Sequence, residues 1–172
     1  FMINSPITAS LFVIETPSIK VGYTWERGDD VFNTQLFAYH GGTITHPNEN
    51  FAVQLGMSMN YFFDKGLWQG NLGFSFVSNI ADSDGMEFND QFQTNGNSAV
   101  DPCQVFGGFA ASCQYSHLLK HNVPGVAVHV DYMNAPWTVY AEYISALRPF
   151  SSLDMTYNGH GAMPSGMDFE VG

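Results

Sequence analysis

Basic residues are scarce in this 172-residue chain: five lysines and arginines stand against 16 acidic residues, which leaves a formal net charge of -11 at pH 7. A nucleic-acid partner needs a cluster of lysine and arginine to meet its phosphates, so the composition argues against one. Charged residues of both signs make up 12% of the chain, about half the share that is typical of a soluble domain.

Long apolar runs are also absent, and without about 18 consecutive apolar residues a transmembrane helix is excluded. The mean hydropathy of -0.07 does not exclude a membrane, because a strand with alternating polar and apolar residues averages to zero. No basic leader segment opens the chain at Phe1, and Gly172 follows directly on a strand pattern. We therefore expect a piece of a longer protein, incomplete at both ends.

Cysteine is limited to Cys103 and Cys113, which lie ten residues apart in a polar, glycine-rich stretch. A disulfide that closes this small loop would suit an oxidising compartment such as the periplasm or the cell surface. The alternative is two unpaired thiols, since no nearby histidine or further cysteine completes a metal-binding set.

What is present is an alternation of apolar and polar residues with period two, which predicts β-strands. The clearest case is Phe51–Phe63, where every second residue is apolar. The same alternation predicts strands over Ser18–Arg27, Gln69–Asn79, Val126–Tyr132, Trp137–Tyr143 and Met167–Val171. Val31–His40 is strand-like but poorly phased.

The connections between these strands alternate strictly between short and long. Three short turns contain glycine, aspartate, asparagine or proline, as tight reversals require: 28–30, 64–66 and 134–136. Three long segments follow the other strands: 41–50, 81–122 and 147–163. Outer-membrane barrels have short periplasmic turns, long extracellular loops and strands of about ten residues. We therefore predict that 81–122 is a long extracellular loop.

All three tryptophans, Trp25, Trp68 and Trp137, lie beside the short turns, and Phe32, Phe62, Phe63 and Tyr132 lie near them. Indole and phenol rings favour the headgroup level of a bilayer, so we interpret this set as an aromatic girdle at the periplasmic rim.

Together these patterns predict an all-β fold, an antiparallel up-and-down transmembrane β-barrel in the bacterial outer membrane. Residues 1–172 would form a single barrel domain that contributes six or seven strands. A barrel with a polar lumen needs about eight strands or more, so we expect this chain to be one arc of a larger barrel.

Seven residues of the polar phase are candidates for lining the pore: Glu26, His129, Asp131, Tyr140, Glu142, Asp168 and Glu170. Their carboxylates would favour cations in the lumen. The alternative is that they are ordinary polar side chains in contact with water in the lumen.

The longest loop carries two groups of candidate residues. Its acidic group comprises Asp82, Asp84, Glu87 and Asp90, and its spacing begins like that of a calcium-binding loop. The rest of the EF-hand spacing is missing, so a metal at Asp82 and Asp84 is only a weak candidate. The alternative is a solvated acidic loop. Its aromatic and imidazole group comprises Phe106, Phe109, Tyr115, His117 and His121. This second group either folds inward to constrict the pore or packs on itself outside.

Catalytic motifs are missing from the sequence. The six histidines have no HExxH spacing, and neither a Gly-x-Ser-x-Gly elbow nor a phosphate-binding glycine loop occurs. We therefore expect no enzyme and no cofactor.

Four segments carry a resemblance to a known family: Met2-Ile3-Asn4-Ser5-Pro6-Ile7-Thr8, Asn79-Ile80-Ala81-Asp82-Ser83-Asp84-Gly85, Val123-Pro124-Gly125-Val126-Ala127-Val128-His129 and Tyr157-Asn158-Gly159-His160-Gly161-Ala162-Met163-Pro164-Ser165. In this order they resemble the LbtU-type siderophore porins, the family that includes the legiobactin uptake receptor. The resemblance implies a barrel of about sixteen strands, within the usual range for outer-membrane barrels, that imports a ferric siderophore without a TonB-coupled plug. The loop with Cys103 and Cys113 departs from the family pattern.

Three functions follow as expectations. The first is uptake of a small solute, in particular a ferric siderophore, with outer-membrane lipid and lipopolysaccharide as partners. The second is a general or solute-selective diffusion porin. The third is a soluble periplasmic or surface β-sandwich that binds a partner.

Overall fold

A computed structural model describes residues 14, 16–42, 52–83, 104–105, 109–111, 119–152 and 154–172. Its elements in chain order are β1 (Ser18–Arg27), β2 (Asp30–Gly41), β3 (Ala52–Asp64), β4 (Trp68–Val77), a 3-10 helix (Ile80–Asp82), β5 (Gln104–Val105), β6 (Phe109–Ala111), β7 (Gly125–Asn134), β8 (Trp137–Ala146), β9 (Met155–Tyr157), β10 (His160–Gly161) and β11 (Ser165–Val171). Across these ranges no helix is long and apolar enough to cross a membrane.

Seven strands form one antiparallel sheet in the order β1-β2-β3-β4-β7-β8-β11. Each strand pairs with its neighbour in the chain or with the strand that follows a long connection, so the sheet is up-and-down and all-β, as predicted. The sheet is not closed, and β1 and β11 lie at its two edges.

Short and long connections lie at opposite ends of the sheet, and the predicted alternation is confirmed. The turns after β1, β3 and β7 are two or three residues long, and we call this end the turn end. Gly28 and Gly66 have φ values of 64° and 77° there, a left-handed conformation that other residues rarely adopt. The end with the long connections is the loop end. There the connections after β4 and β8 meet in a second sheet of four short strands, β10-β9-β6-β5.

The register separates the side chains into two faces because successive residues of a strand point to opposite sides. One cross-strand row contains Leu36, Met57 and Phe76, and the next row on the same side contains Met59, Phe74 and Val128. We call this side the apolar face. The opposite side, which carries Asn60, Ser75 and Glu142, is the polar face.

A hydrophobic core lies on the polar face at the loop end. Ile80, Val123 and Phe150 come from the connections and are 0%, 0% and 3% exposed. They belong to one cluster with Val77, Ala127, Ile144 and Ala146 of the sheet, and Ile14, Phe37, Leu119 and Met155 pack against it. We call the part from the connections, namely Ile80, Ala81, Val123 and Phe150, the cover. Burying its three large side chains contributes roughly 5–9 kcal/mol before the entropy cost of ordering the connections.

The cover explains why β2 is poorly phased in the sequence. Phe37 and Tyr39 lie on the polar face, where the cover and its neighbours bury Tyr39 to 4% exposure, whereas Thr34 and His40 lie on the apolar face. The Tyr39 hydroxyl donates to the Asn79 carbonyl at 3.2 Å. The period-two pattern breaks because an apolar residue is needed on both faces at this end.

The structure corrects predictions about the end of the fourth strand, the longest connection and Phe62. The fourth strand ends at Val77 and not at Asn79, because the Asn79 side chain caps the 3-10 helix by accepting from Ala81 N–H. The connection 81–122 is not only loop, since it begins within that helix and contains β5 and β6. Phe62 is not part of the apolar girdle, because its register with Val31 and Asn71 places it on the polar face.

Candidate functional site

Six of the seven predicted pore-lining residues come together on the polar face, on the adjacent strands β7, β8 and β11. His129, Glu142 and Asp168 form one cross-strand row, and Asp131, Tyr140 and Glu170 form the next row toward the turn end. We call these six residues together with Asn71 of β4 the acidic strip. Glu26 is on the same face, but it lies on β1 at the opposite edge of the sheet.

Hydrogen bonds order the side chains of the acidic strip. The Asn71 amide nitrogen lies 3.0 Å from His129 Nε2 and 3.4 Å from Asp131 Oδ2. The Tyr140 hydroxyl donates to Glu142 Oε2 at 3.0 Å. The His129 imidazole lies directly over Gly73, where a Cβ would overlap the ring, so glycine at this position in β4 leaves the space that the ring occupies. Asn71 was missed at the sequence level because an asparagine in a strand carries no signal of its own.

No basic side chain of the chain neutralises the strip. The five basic residues all lie elsewhere: Lys20 and Arg27 on β1, Lys65 in a turn, and Lys120 and Arg148 in connections at the loop end. Within the described ranges, Asn71 Oδ1 and Asp168 Oδ2 are shut off from solvent and have no hydrogen-bond partner. Four carboxylates on neighbouring strands therefore create a negative potential that attracts cations.

The turn end of the strip borders an open hollow of about 550 Å³, within the size range of small-molecule sites. Phe62, Met133 and Tyr140 supply apolar and aromatic surface, and Asp131 and Glu170 supply charge. This combination suits a small solute with an apolar body and a neutral or positive polar group. Among the described residues, no group of three or more histidine, cysteine, aspartate or glutamate side chains is placed to hold a metal ion.

Aromatic residues lie around the turn end on the apolar face. Trp25, Trp68 and Trp137 are 54%, 55% and 63% exposed, and Trp68 contacts Tyr132 edge-on at a centroid distance of 6.3 Å. Trp68 and Trp137 both pair with Asn134 and so belong to one row.

An ion pair at this end connects the turn after β3 with the first residue of β2. Lys65 Nζ lies 2.6 Å from Asp30 Oδ1. The hydrogen bond to this carboxylate raises the pKa of Lys65.

The loop candidates have different outcomes. Asp82 is 2% exposed and accepts from the Asn79 side chain at 3.2 Å, so the expectation of a solvated acidic loop is wrong for this residue. His121 is half-buried and lies near the Asp154 carboxyl. Phe109 lies in β6, and the other loop candidates lie outside the described residues: Asp84, Glu87, Asp90, Phe106, Tyr115 and His117. The same holds for the possible disulfide between Cys103 and Cys113.

Comparison with known proteins finds relatives that match almost the whole chain. It is 29% identical over 171 residues to a UPF0422 protein of Coxiella burnetii, which covers 99% of this chain and 32% of that protein. Two UPF0422 proteins of Legionella pneumophila, from the strains Lens and Philadelphia 1, are each 28% identical over 172 residues, which is 30% of their length. The chain thus spans about a third of the length of these relatives. No family model and no solved structure matches it.

Proposed function

We propose that this chain is an arc of an outer-membrane β-barrel whose polar face lines the path of a small imported solute, with a ferric siderophore as the first candidate. The observation that carries this proposal is an apolar face, opposite a polar face, that none of the described residues covers. On the apolar face Ile19, Val21 and Met167 are 78%, 73% and 75% exposed. Lipid is the environment that makes such a surface favourable.

The dimensions of the sheet support a membrane setting. Seven strands at a spacing of about 4.8 Å, with about ten residues each at 3.3 Å, give an apolar face of roughly 900 Å². Apolar patches on soluble monomers rarely exceed about 600 Å². Ten-residue strands tilted by about 40° also span roughly 25 Å, the height of the apolar band of outer-membrane barrels.

The membrane part of the proposal is tested on the full-length protein. We expect migration on a gel that changes on heating, and partition into the detergent phase. A full-length protein that stays monomeric in water without detergent would contradict the barrel and favour the soluble sandwich.

The acidic strip indicates which solutes pass. Its carboxylates have no basic neighbour, so we expect a neutral or cationic complex to pass more readily than an anionic one. A general diffusion porin with cation preference is the second candidate, and the same lining supports it. Uptake of labelled ferric siderophore by cells with and without the full-length gene separates the two, since equal uptake would exclude the siderophore.

Ion selectivity tests the role of the strip directly. We expect the combined substitution Glu142→Gln and Asp168→Asn to shift the reversal potential in a KCl gradient toward lower cation preference, with the protein in a planar lipid bilayer. Glu26→Gln at the opposite edge is the matched control, and its shift should be smaller. An unchanged reversal potential in the double variant would show that the strip does not line the path.

A further inference from the structure

In the part of the chain that the structure describes, the polar face is covered at the loop end and open at the turn end. At the loop end the cover rests on residues of four strands: Phe37 on β2, Val77 on β4, Ala127 on β7 and Ile144 on β8. The cover therefore occupies the space in front of the sheet through which a solute on the polar face would have to pass.

Hydrogen bonds hold the cover in place at several points. Ile80 N–H donates to the Val123 carbonyl at 2.7 Å, and Val123 N–H donates to Asn79 Oδ1 at 3.2 Å. Phe150 N–H donates to the Ala162 carbonyl at 2.8 Å. The two ends of the connection between β4 and β7, at Ile80 and Val123, are therefore hydrogen-bonded to each other, and both pack on the sheet.

Glycines in the sheet provide the space in which the cover sits. A Cβ at Gly125 would lie 2.9 Å from Ile80 Cδ1 and 3.0 Å from Ile80 Cβ, and a Cβ at Gly41 would lie 2.9 Å from Asp82 Oδ2. A side chain at Gly125 would press on Ile80, and one at Gly41 would press on Gln54 and Asp82, so these glycines allow the 3-10 helix to lie close to the sheet.

We infer that the cover is a permanent constriction of the solute path, with Asn79 as the positioning residue that holds it against the sheet. This inference rests on the proposed function, because a constriction has meaning only if the polar face lines a path. It differs from a gate, which would have to leave the sheet during each transport event.

The test uses the full-length protein in liposomes and measures the entry of neutral saccharides from one to three sugar units. Asn79→Ala removes the acceptor for Val123 N–H and the donor to Asp82. We expect a several-fold faster entry of the largest saccharide. An unchanged size limit in Asn79→Ala, with heat-modifiable migration as in the wild type, would overturn the inference.

A disulfide between cover and sheet distinguishes a permanent constriction from a gate. The double variant Ile80→Cys, Gly125→Cys introduces two cysteines whose Cβ atoms would be 3.0 Å apart. These Cβ atoms need to separate by less than about 1 Å to reach disulfide geometry. Cys103 and Cys113 are replaced by serine in the same background. We expect equal saccharide entry in the oxidised and reduced states, and we expect oxidation to suppress the effect of Asn79→Ala. Loss of entry on oxidation alone would identify a gate and overturn the inference.

The two proposals fail in different ways. If the wild-type protein admits no saccharide and carries no current, the proposed function fails. If it conducts but the Asn79→Ala variant has the wild-type size limit, only the constriction fails.

Discussion

The substitution Leu72→Arg tests whether the apolar face meets lipid. Leu72 lies on β4, the central strand of the sheet, between Tyr61 and Val130, and is 45% exposed. It lies four positions after Trp68, a distance of about 13 Å along the strand and roughly 10 Å in depth at a tilt of about 40°. The position is therefore close to the middle of an apolar band about 25 Å high.

An arginine at the middle of the bilayer costs about 2–4 kcal/mol in a barrel. This corresponds to a roughly 30- to 700-fold smaller folding equilibrium constant. At an exposed position in water, the same substitution usually changes stability by no more than about 0.5 kcal/mol. The two environments thus predict clearly different results.

The measurement is reversible unfolding of the full-length protein in lipid vesicles with guanidinium chloride, followed by tryptophan emission. Asn60→Arg is the matched control, because Asn60 is the neighbour of Tyr61 on the same strand and faces the polar side opposite Asn33 and Gly73. We expect it to cost less than about 1 kcal/mol, as at other wet positions. Equal free energies of unfolding for Leu72→Arg and Asn60→Arg would refute the lipid-facing assignment.

Two further predictions concern the packing at Gly73 and the protonation of Asp154. Gly73→Ala should destabilise the protein by about 1–3 kcal/mol in thermal unfolding, because the added methyl group would overlap the His129 ring and displace it. Gly22→Ala, whose methyl group would lie 3.0 Å from both the Gln35 side chain and the Thr34 carbonyl oxygen, should cost less because these contacts are tight but do not overlap. An equal loss of stability in the two variants would contradict the reasoning. Burial raises the pKa of Asp154, although Lys120 N–H donates to its carboxylate. The stability that this shift contributes is fully present below pH 3.8, the pKa of the carboxyl in the unfolded chain. It is lost as the pH rises through the higher pKa of Asp154 in the folded protein. Asp154→Asn should therefore unfold at the same temperature as the wild type at low pH and at a higher temperature at neutral pH, and a difference that grows toward low pH would exclude this account.

The sequence alone predicted the seven long strands, their order along the chain and the position of the three tryptophans. Period two and the lengths of the connections are local properties, so they do not depend on distant contacts. The polar phase of His129, Asp131, Glu142 and Asp168 followed from the same alternation. Their assembly into one strip, with Glu26 left at the opposite edge, came from the strand register.

The cover could not be predicted in this way. Asp82 was expected in an exposed acidic loop and Asn79 at the end of the fourth strand, and nothing in the local pattern marked Ile144 and Val77 as buried. Their burial depends on contacts between β2, β4, β8 and the connections, which are far apart in sequence. The same contacts explain the irregular β2.

Local alternation therefore determined the sheet and its two faces, since each strand carries that information within about ten residues. Only the tertiary structure decided which half of the polar face is open and which is covered. The physical reason is that apolar side chains of the connections had to bury their surface, and the sheet at the loop end was the nearest apolar partner.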